Sequence, residues 1–216
     1  MKRTNFFYLL GALLFLLLAL PLAHDFGFAD KPLMRAVIFT ILLLVGSWSL
    51  KEGGRYFLWG MLFVVAGIAF SILAADQATT LFRYGSILAM IGFLVVAISY
   101  TLGQVVFGTD MSANRLVGAI CVFLLLGIIW AFGYALLELA VPNSFKGFDP
   151  EHGPGADSAW LYFSFVTLTT LGYGDITPVT AVARTLAYLQ AVAGQFYIAV
   201  LVAGLVSGYI SARQQS

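Results

Sequence analysis

Charge is scarce in this 216-residue chain: 11 Lys+Arg and 10 Asp+Glu amount to 10% of the residues and nearly cancel, leaving a net charge of +1. So small a balance supplies no field to hold nucleic acid or an acidic polymer, and nucleic-acid binding is set aside. Thiols are scarcer still. The single cysteine, Cys121, lies in an apolar run, which excludes a disulfide framework, a zinc knuckle or a thioredoxin pair within one chain. The two histidines, His24 and His152, fall in segments that read as loops, and His152 reads as solvated. With no Ser/His/Asp arrangement, metal cluster or nucleotide-binding loop, neither an enzyme nor a cofactor is expected. What the chain has in quantity is apolar surface: 61% of it is hydrophobic and its mean hydropathy is +0.96. That composition belongs in lipid.

A helix needs roughly 20 apolar residues to cross a bilayer core of about 30 Å. Six such runs are present, at 6–23, 33–50, 56–75, 84–102, 116–137 and 182–210, separated by polar punctuation such as His24-Asp25 and Lys51-Glu52-Gly53-Gly54-Arg55. Each should be helical, because in lipid every backbone amide and carbonyl must be paired within its own segment. The first run also reads as a secretory signal peptide, since Lys2-Arg3 precedes it and Leu20-Pro21-Leu22-Ala23 ends it. Pro21 occupies the place where a cleavage site wants a small residue, so the run is read as a span. Basic residues divide almost evenly between alternate faces, and only Lys2, Arg3, Lys51 and Arg55 favour a cytoplasmic amino terminus. Six spans would return the carboxyl terminus to the same side.

Residues 138–181 are more chain than a two-helix turn requires, and so long a connection is usually functional or disordered. Asn143, Lys146, Asp149, Pro150, Glu151 and Pro154 make its first part a solvated loop. Asp157 or Ser158 then caps an apolar helix over about 158–169, too short to cross. It can only enter and stop. A re-entrant helix is tolerated where its freed backbone is buried in protein or faces water, and its carboxyl end directs a partial negative charge that favours a cation. Directly after it comes Thr170-Leu171-Gly172-Tyr173-Gly174-Asp175, followed by Thr177-Pro178.

Those six residues resemble the selectivity filter of potassium channels, and Ile176 to Thr180, Arg184 and Gly194 are similar to the filter-to-inner-helix segment of simple bacterial members. The resemblance implies an all-α integral membrane protein with six transmembrane helices, a re-entrant pore helix, a filter loop and a tetrameric pore. It implies a non-sensing four-helix part at 1–106 and a pore domain at 107–216, with an outer helix about 116–141, a filter at 170–175 and an inner helix about 180–211. Carbonyls of Thr170, Leu171, Gly172 and Tyr173, with the Thr170 hydroxyl, would form oxygen rings around dehydrated K+, the permeant ion. Gly172 and Gly174 reach positive φ cheaply, which lets successive carbonyls face one axis. The side chains of Leu171 and Tyr173 would wedge the filter from behind, with Thr169, Val166, Tyr162, Glu138 and Asp175 as support. Leu171 stands where valine or isoleucine is usual, which changes packing but not the oxygen inventory. Val166 stands where some relatives carry an acid that pairs with the filter aspartate, so Asp175 must find another donor, Tyr162 or Trp160. Glu138 is costly in the membrane unless paired, and either accepts from the backbone beyond the filter or snorkels to water. Gly194 is a candidate gating bend, with close packing as the competing explanation.

Six spans with one pore loop are also the layout of voltage-gated channels. Run 84–102 contains no basic residue, and Arg83 sits alone at its edge. With so little mobile charge, weak or absent voltage dependence is expected. A sequence ending soon after Ile210 leaves any ligand gate to the membrane, to lipid or to a separate regulatory subunit. The expected setting is a homotetramer in a bilayer, multi-pass in a bacterial inner (plasma) membrane with both termini cytoplasmic. Competing readings are a weakly selective cation channel, a transporter subunit, or an accessory protein whose filter is dead.

Overall fold

The computed structural model describes residues 6–25, 54–77, 80–107, 112–147 and 157–214. The expected span at 33–50 and the His152 stretch lie outside the described residues. Among the described residues, seven α-helices, one π-helical segment and a two-stranded ribbon come in the order α1 (Phe6–Asp25), α2 (Arg55–Gln77), α3 (Thr80–Phe107), α4 (Ala113–Ala140), β1 (Phe145–Lys146), α5 (Asp157–Leu168), β2 (Thr177–Pro178), α6 (Ala181–Phe196), the π segment (Tyr197–Val202) and α7 (Ala203–Gln214). Among the described residues four helical stretches are long and apolar enough to cross a membrane: Arg55–Leu73, Thr80–Phe107, Ala113–Ala140 and Ala181–Gly208. Phe6–Ala19 and Ser158–Leu168 are shorter apolar helices.

The helices pack as a chain of neighbours, α2 on α3 and α3 on α4, with α1 and α5 both against α4 and α5 against α6. In α1 the side chains of Phe6, Leu9, Leu13 and Leu16 are buried, a stripe at helical spacing, while Phe7, Tyr8, Phe15 and Leu18 on the other face are more than half exposed. Apolar helices of this kind gain little from burying one another in lipid, so close van der Waals packing carries their association. Glycine against phenylalanine supplies it. A Cβ on Gly92 would strike the Phe63 ring and one on Gly85 the Phe70 ring, two matched contacts that set the register of the α2–α3 pair. Gly118 receives Phe6 in the same way, and Gly127 receives Phe165.

Arg115 shows how a charge is kept near the membrane. It is largely buried, and its guanidinium donates to the carbonyls of Val105, at 2.5 Å, and Val106, at 2.9 Å. Those are among the last carbonyls of α3, which otherwise have no helical partner and lie at the negative end of the helix dipole. The end of α3 is therefore tied to the first turn of α4 by this side chain.

At the other end of α4 the chain turns through Asn143, whose φ is +65°. Glu138 holds this turn. Its carboxylate accepts from the backbone N–H groups of Asn143 (2.8 Å), Ser144 (2.9 Å) and Phe145 (3.2 Å). This corrects the expectation that Glu138 either reaches the backbone beyond the filter or snorkels to water. A carboxylate at the end of α4 finds three unpaired donors within the next few residues of its own chain, and the local ring closes first. β1 then pairs antiparallel with β2, Phe145 opposite Pro178 and Lys146 opposite Thr177, so the turn is joined to the segment that follows Asp175.

Candidate functional site

α5 is the short helix that leads into Thr170–Gly174, and the way it ends shapes that strand. Thr170 N–H donates to the Thr167 carbonyl at 3.0 Å and Leu171 N–H to the Val166 carbonyl at 2.9 Å. This pair of bonds is a Schellman cap, with Thr170 in the left-handed position that glycine usually fills. Its φ is +58°. A β-branched residue is disfavoured there, so the surrounding structure must impose the conformation.

The same sign recurs two and four residues on. Gly172 has φ +59° and Gly174 φ +80°, while Leu171 and Tyr173 between them keep negative φ. In an ordinary strand successive carbonyls alternate in direction, because every residue has similar backbone angles. Alternating the sign of φ removes that alternation and lets neighbouring carbonyls share one side of the chain. The sequence points to glycine at 172 and 174 for this purpose. It gives no sign of Thr170, because threonine carries no such preference.

The far end of the strand is held by Asp175. Tyr162 Oη donates to Asp175 Oδ2 at 2.6 Å, and the Tyr162 ring lies parallel to that of Tyr173, 6° between planes and 6.5 Å between centroids. Hydrogen bonding from Tyr162 holds the Asp175 carboxyl below its ordinary range, and the same bond pushes the Tyr162 phenol up to about 12. Trp160, the other candidate donor, is buried and packs edge-on to Phe145. Gly147 closes the back of this end. With φ +93° it lies against the Asp175 carbonyl so tightly that a Cβ would overlap the oxygen.

Among the supporting residues Val166 is buried and contributes its carbonyl, which accepts from both Leu171 and Gly172. Thr169 turns its hydroxyl back to the Phe165 carbonyl at 2.7 Å. Leu171 and Tyr173 are 56% and 67% exposed, so in the single chain their outer faces are uncovered.

Behind the short helix lies a polar cluster that the sequence reading missed. Gln190 is fully buried; its Nε2 donates to the Ser164 carbonyl (3.0 Å) and to Ser164 Oγ (2.7 Å), and its Oε1 accepts from Tyr134 Oη at 2.5 Å. Ser164 Oγ in turn donates to the Gly127 carbonyl at 2.6 Å. One amide therefore links α4, α5 and α6. The available signal was an uncharged polar residue inside run 182–210, where an unpaired amide would be expensive.

Gly194 is buried, and a Cβ there would run into the Leu168 carbonyl oxygen. Close approach to α5 accounts for this glycine. α6 continues unbroken through it, and the departure from α geometry comes at the π segment, where Tyr197 Oη donates to the Ala119 carbonyl at 2.6 Å.

Residues 154–209, which include α5, the Thr170–Gly174 segment, α6, the π segment and the first part of α7, match the ion channel family model. Over these residues, about a quarter of the chain, it is similar to ion channels. The chain is 40% identical over 68 residues to two pore potassium channel c of Oryza sativa subsp. japonica, covering 32% of this chain and 14% of that protein. It is 35% identical over 92 residues to Shaker-related potassium channel tsha2 of Oncorhynchus mykiss, 43% of this chain and 18% of that one. Two-pore potassium channel 3 of Arabidopsis thaliana is 41% identical over 56 residues, 26% and 13%. The similarity to each spans less than a fifth of that relative's length.

Proposed function

We propose that this chain is one quarter of a potassium-selective channel that conducts passively across the bilayer, with Thr170, Leu171, Gly172, Tyr173 and Gly174 as the filter. The observation that carries the reading is the alternating sign of φ from Thr170 to Gly174, on a strand that begins at the end of a helix too short to cross. A chain with that alternation can offer bare carbonyl oxygens to one axis, which is what an unhydrated cation requires. One copy supplies one strand, so a closed ring needs cyclic association, here of four copies, and the relatives named as potassium channels support K+ as the ion. The uncovered faces of Leu171 and Tyr173 would then be closed by neighbouring copies.

In this reading residues 107–216 are the pore domain, with α4 as outer helix and α6 to α7 as inner helix, and 1–106 form a collar that completes six spans. Tyr162, Asp175, Val166 and Thr169 brace the filter, and Glu138 braces the turn that β1 attaches to it. Gly194, seated on Leu168, and the π segment below it are the elements through which inner-helix movement would reach the filter. α3 carries Arg83 as its only basic residue, which supports weak or absent voltage dependence. The setting is a multi-pass place in a bacterial plasma membrane with both termini cytoplasmic.

Potassium flux from liposomes that contain only this protein tests the reading. Wild-type vesicles should release K+ down its gradient. Gly172→Ala should release at least about tenfold less, because a left-handed alanine costs roughly 1–2 kcal/mol in each of four strands. No flux from the wild-type protein would refute the proposal.

A further inference from the structure

The inner helix presents a side-chain amide to the Thr170 end of the filter. Gln195 Nε2 donates to Thr170 Oγ1 at 3.4 Å, across 25 residues of sequence. Both backbones beneath this contact are fixed. Gly194 is pressed against the Leu168 carbonyl, which sets the position of residue 195, and the Schellman bonds to Thr167 and Val166 set that of Thr170. The meeting of the two side chains is therefore built into the packing of α5 on α6.

The surroundings of Gln195 point the same way. It is exposed in the single chain, and its neighbours Val192, Ala193 and Phe196 are exposed and apolar. An amide facing hydrocarbon leaves its donors and acceptor unpaired at a cost of several kcal/mol, so this face of the helix belongs on a water-filled passage. A threonine hydroxyl has one proton and two lone pairs. When Gln195 donates to one lone pair, the hydroxyl loses its free rotation and the other lone pair is held ready for a cation.

We infer that Gln195 sets the affinity of the innermost cation site of the filter by fixing the Thr170 hydroxyl as an oxygen ligand. The ligand class is a dehydrated cation of potassium's size, and barium, similar in size and doubly charged, is its probe. The inference rests on the channel reading above and adds to it a positioning residue that tunes ion affinity at one site. In a four-fold assembly the contact repeats as a ring of four amides around one site.

Barium block of purified channels in planar bilayers, with the ion added to either chamber, tests it. Gln195→Leu removes the donor. Gln195→Asn keeps an amide but is one methylene too short to reach, and it serves if the leucine variant fails to assemble. Either should weaken block from the Gln195 side by about threefold to tenfold, the worth of one neutral hydrogen bond. The potassium-over-sodium reversal potential should stay where it is. Unchanged block in a conducting variant overturns the inference, as does a shifted reversal potential, which would mean general distortion of the filter. A wild-type protein that passes no potassium overturns the channel reading itself.

Discussion

The leading helices and the filter region answer the same solvent in different ways. α2 and α3 meet through Gly85 and Gly92 against phenylalanine rings, contacts in which a flexible side chain fills a notch. Around the Thr170–Gly174 segment a ring also meets a glycine, Phe165 on Gly127, but further contacts are backbone against backbone, Gly194 on Leu168 and Gly147 on Asp175, and side-chain amide or hydroxyl against backbone, as at Gln190 and Ser164. A ring can turn to make room and a carbonyl cannot. The second region holds a strand in backbone angles that threonine disfavours. Rigidity is concentrated where the strain is.

One extra methyl group placed in each region should expose that contrast. Gly194→Ala must displace the Leu168 carbonyl and should cost about 3 kcal/mol of stability, with loss of flux. Thermal unfolding of the detergent-solubilised protein reads the first effect and liposome flux the second. The buried amide comes next. Gln190→Met keeps the length of the side chain but leaves the Tyr134 hydroxyl unpaired in the interior, at about 2 kcal/mol in the same unfolding assay.

Tyr162→Phe touches only the rim. The Asp175 pKa lies below its ordinary value of 3.8, so the stabilisation it gives is complete above that pH and is lost as pH falls through the lower value. Wild-type flux should therefore hold across neutral and mildly acid conditions and fail only in strong acid. Removing the Tyr162 hydroxyl should move that failure to higher pH, measured as flux against pH. Gly92→Ala should do least. The Phe63 ring can yield, and alanine's helix preference of about 1 kcal/mol over glycine offsets the crowding, so unfolding should hardly shift. Equal effects at Gly92 and Gly194 would erase the distinction between the two regions.

How legible each region was in the sequence depends on the same contrast. Spans are declared by the length of apolar runs, and the structure has helices over 56–75, 84–102, 116–137 and 182–210. The short helix was legible too, from an apolar run that stops short of a crossing. Gly172 and Gly174 announced positive φ because no other residue adopts it so cheaply. Thr170 did not, since its conformation is imposed by the Schellman bonds and by no preference of its own. Gln190 and Glu138 were visible as polar residues in apolar surroundings, but their partners depend on how helices are rotated about their axes. The sequence pattern bounds that rotation and side-chain packing decides it. The π segment was not legible, because its six residues, Tyr197-Ile198-Ala199-Val200-Leu201-Val202, are ordinary for a helix in lipid.

The central claim is that an assembly of these chains passes potassium on main-chain oxygens and excludes sodium. The reversal potential of the purified protein in a planar bilayer, with potassium on one side and sodium on the other, tests it most directly. The account predicts a potential displaced far toward the potassium equilibrium value. A potential near zero, meaning equal permeability to the two ions, would contradict it.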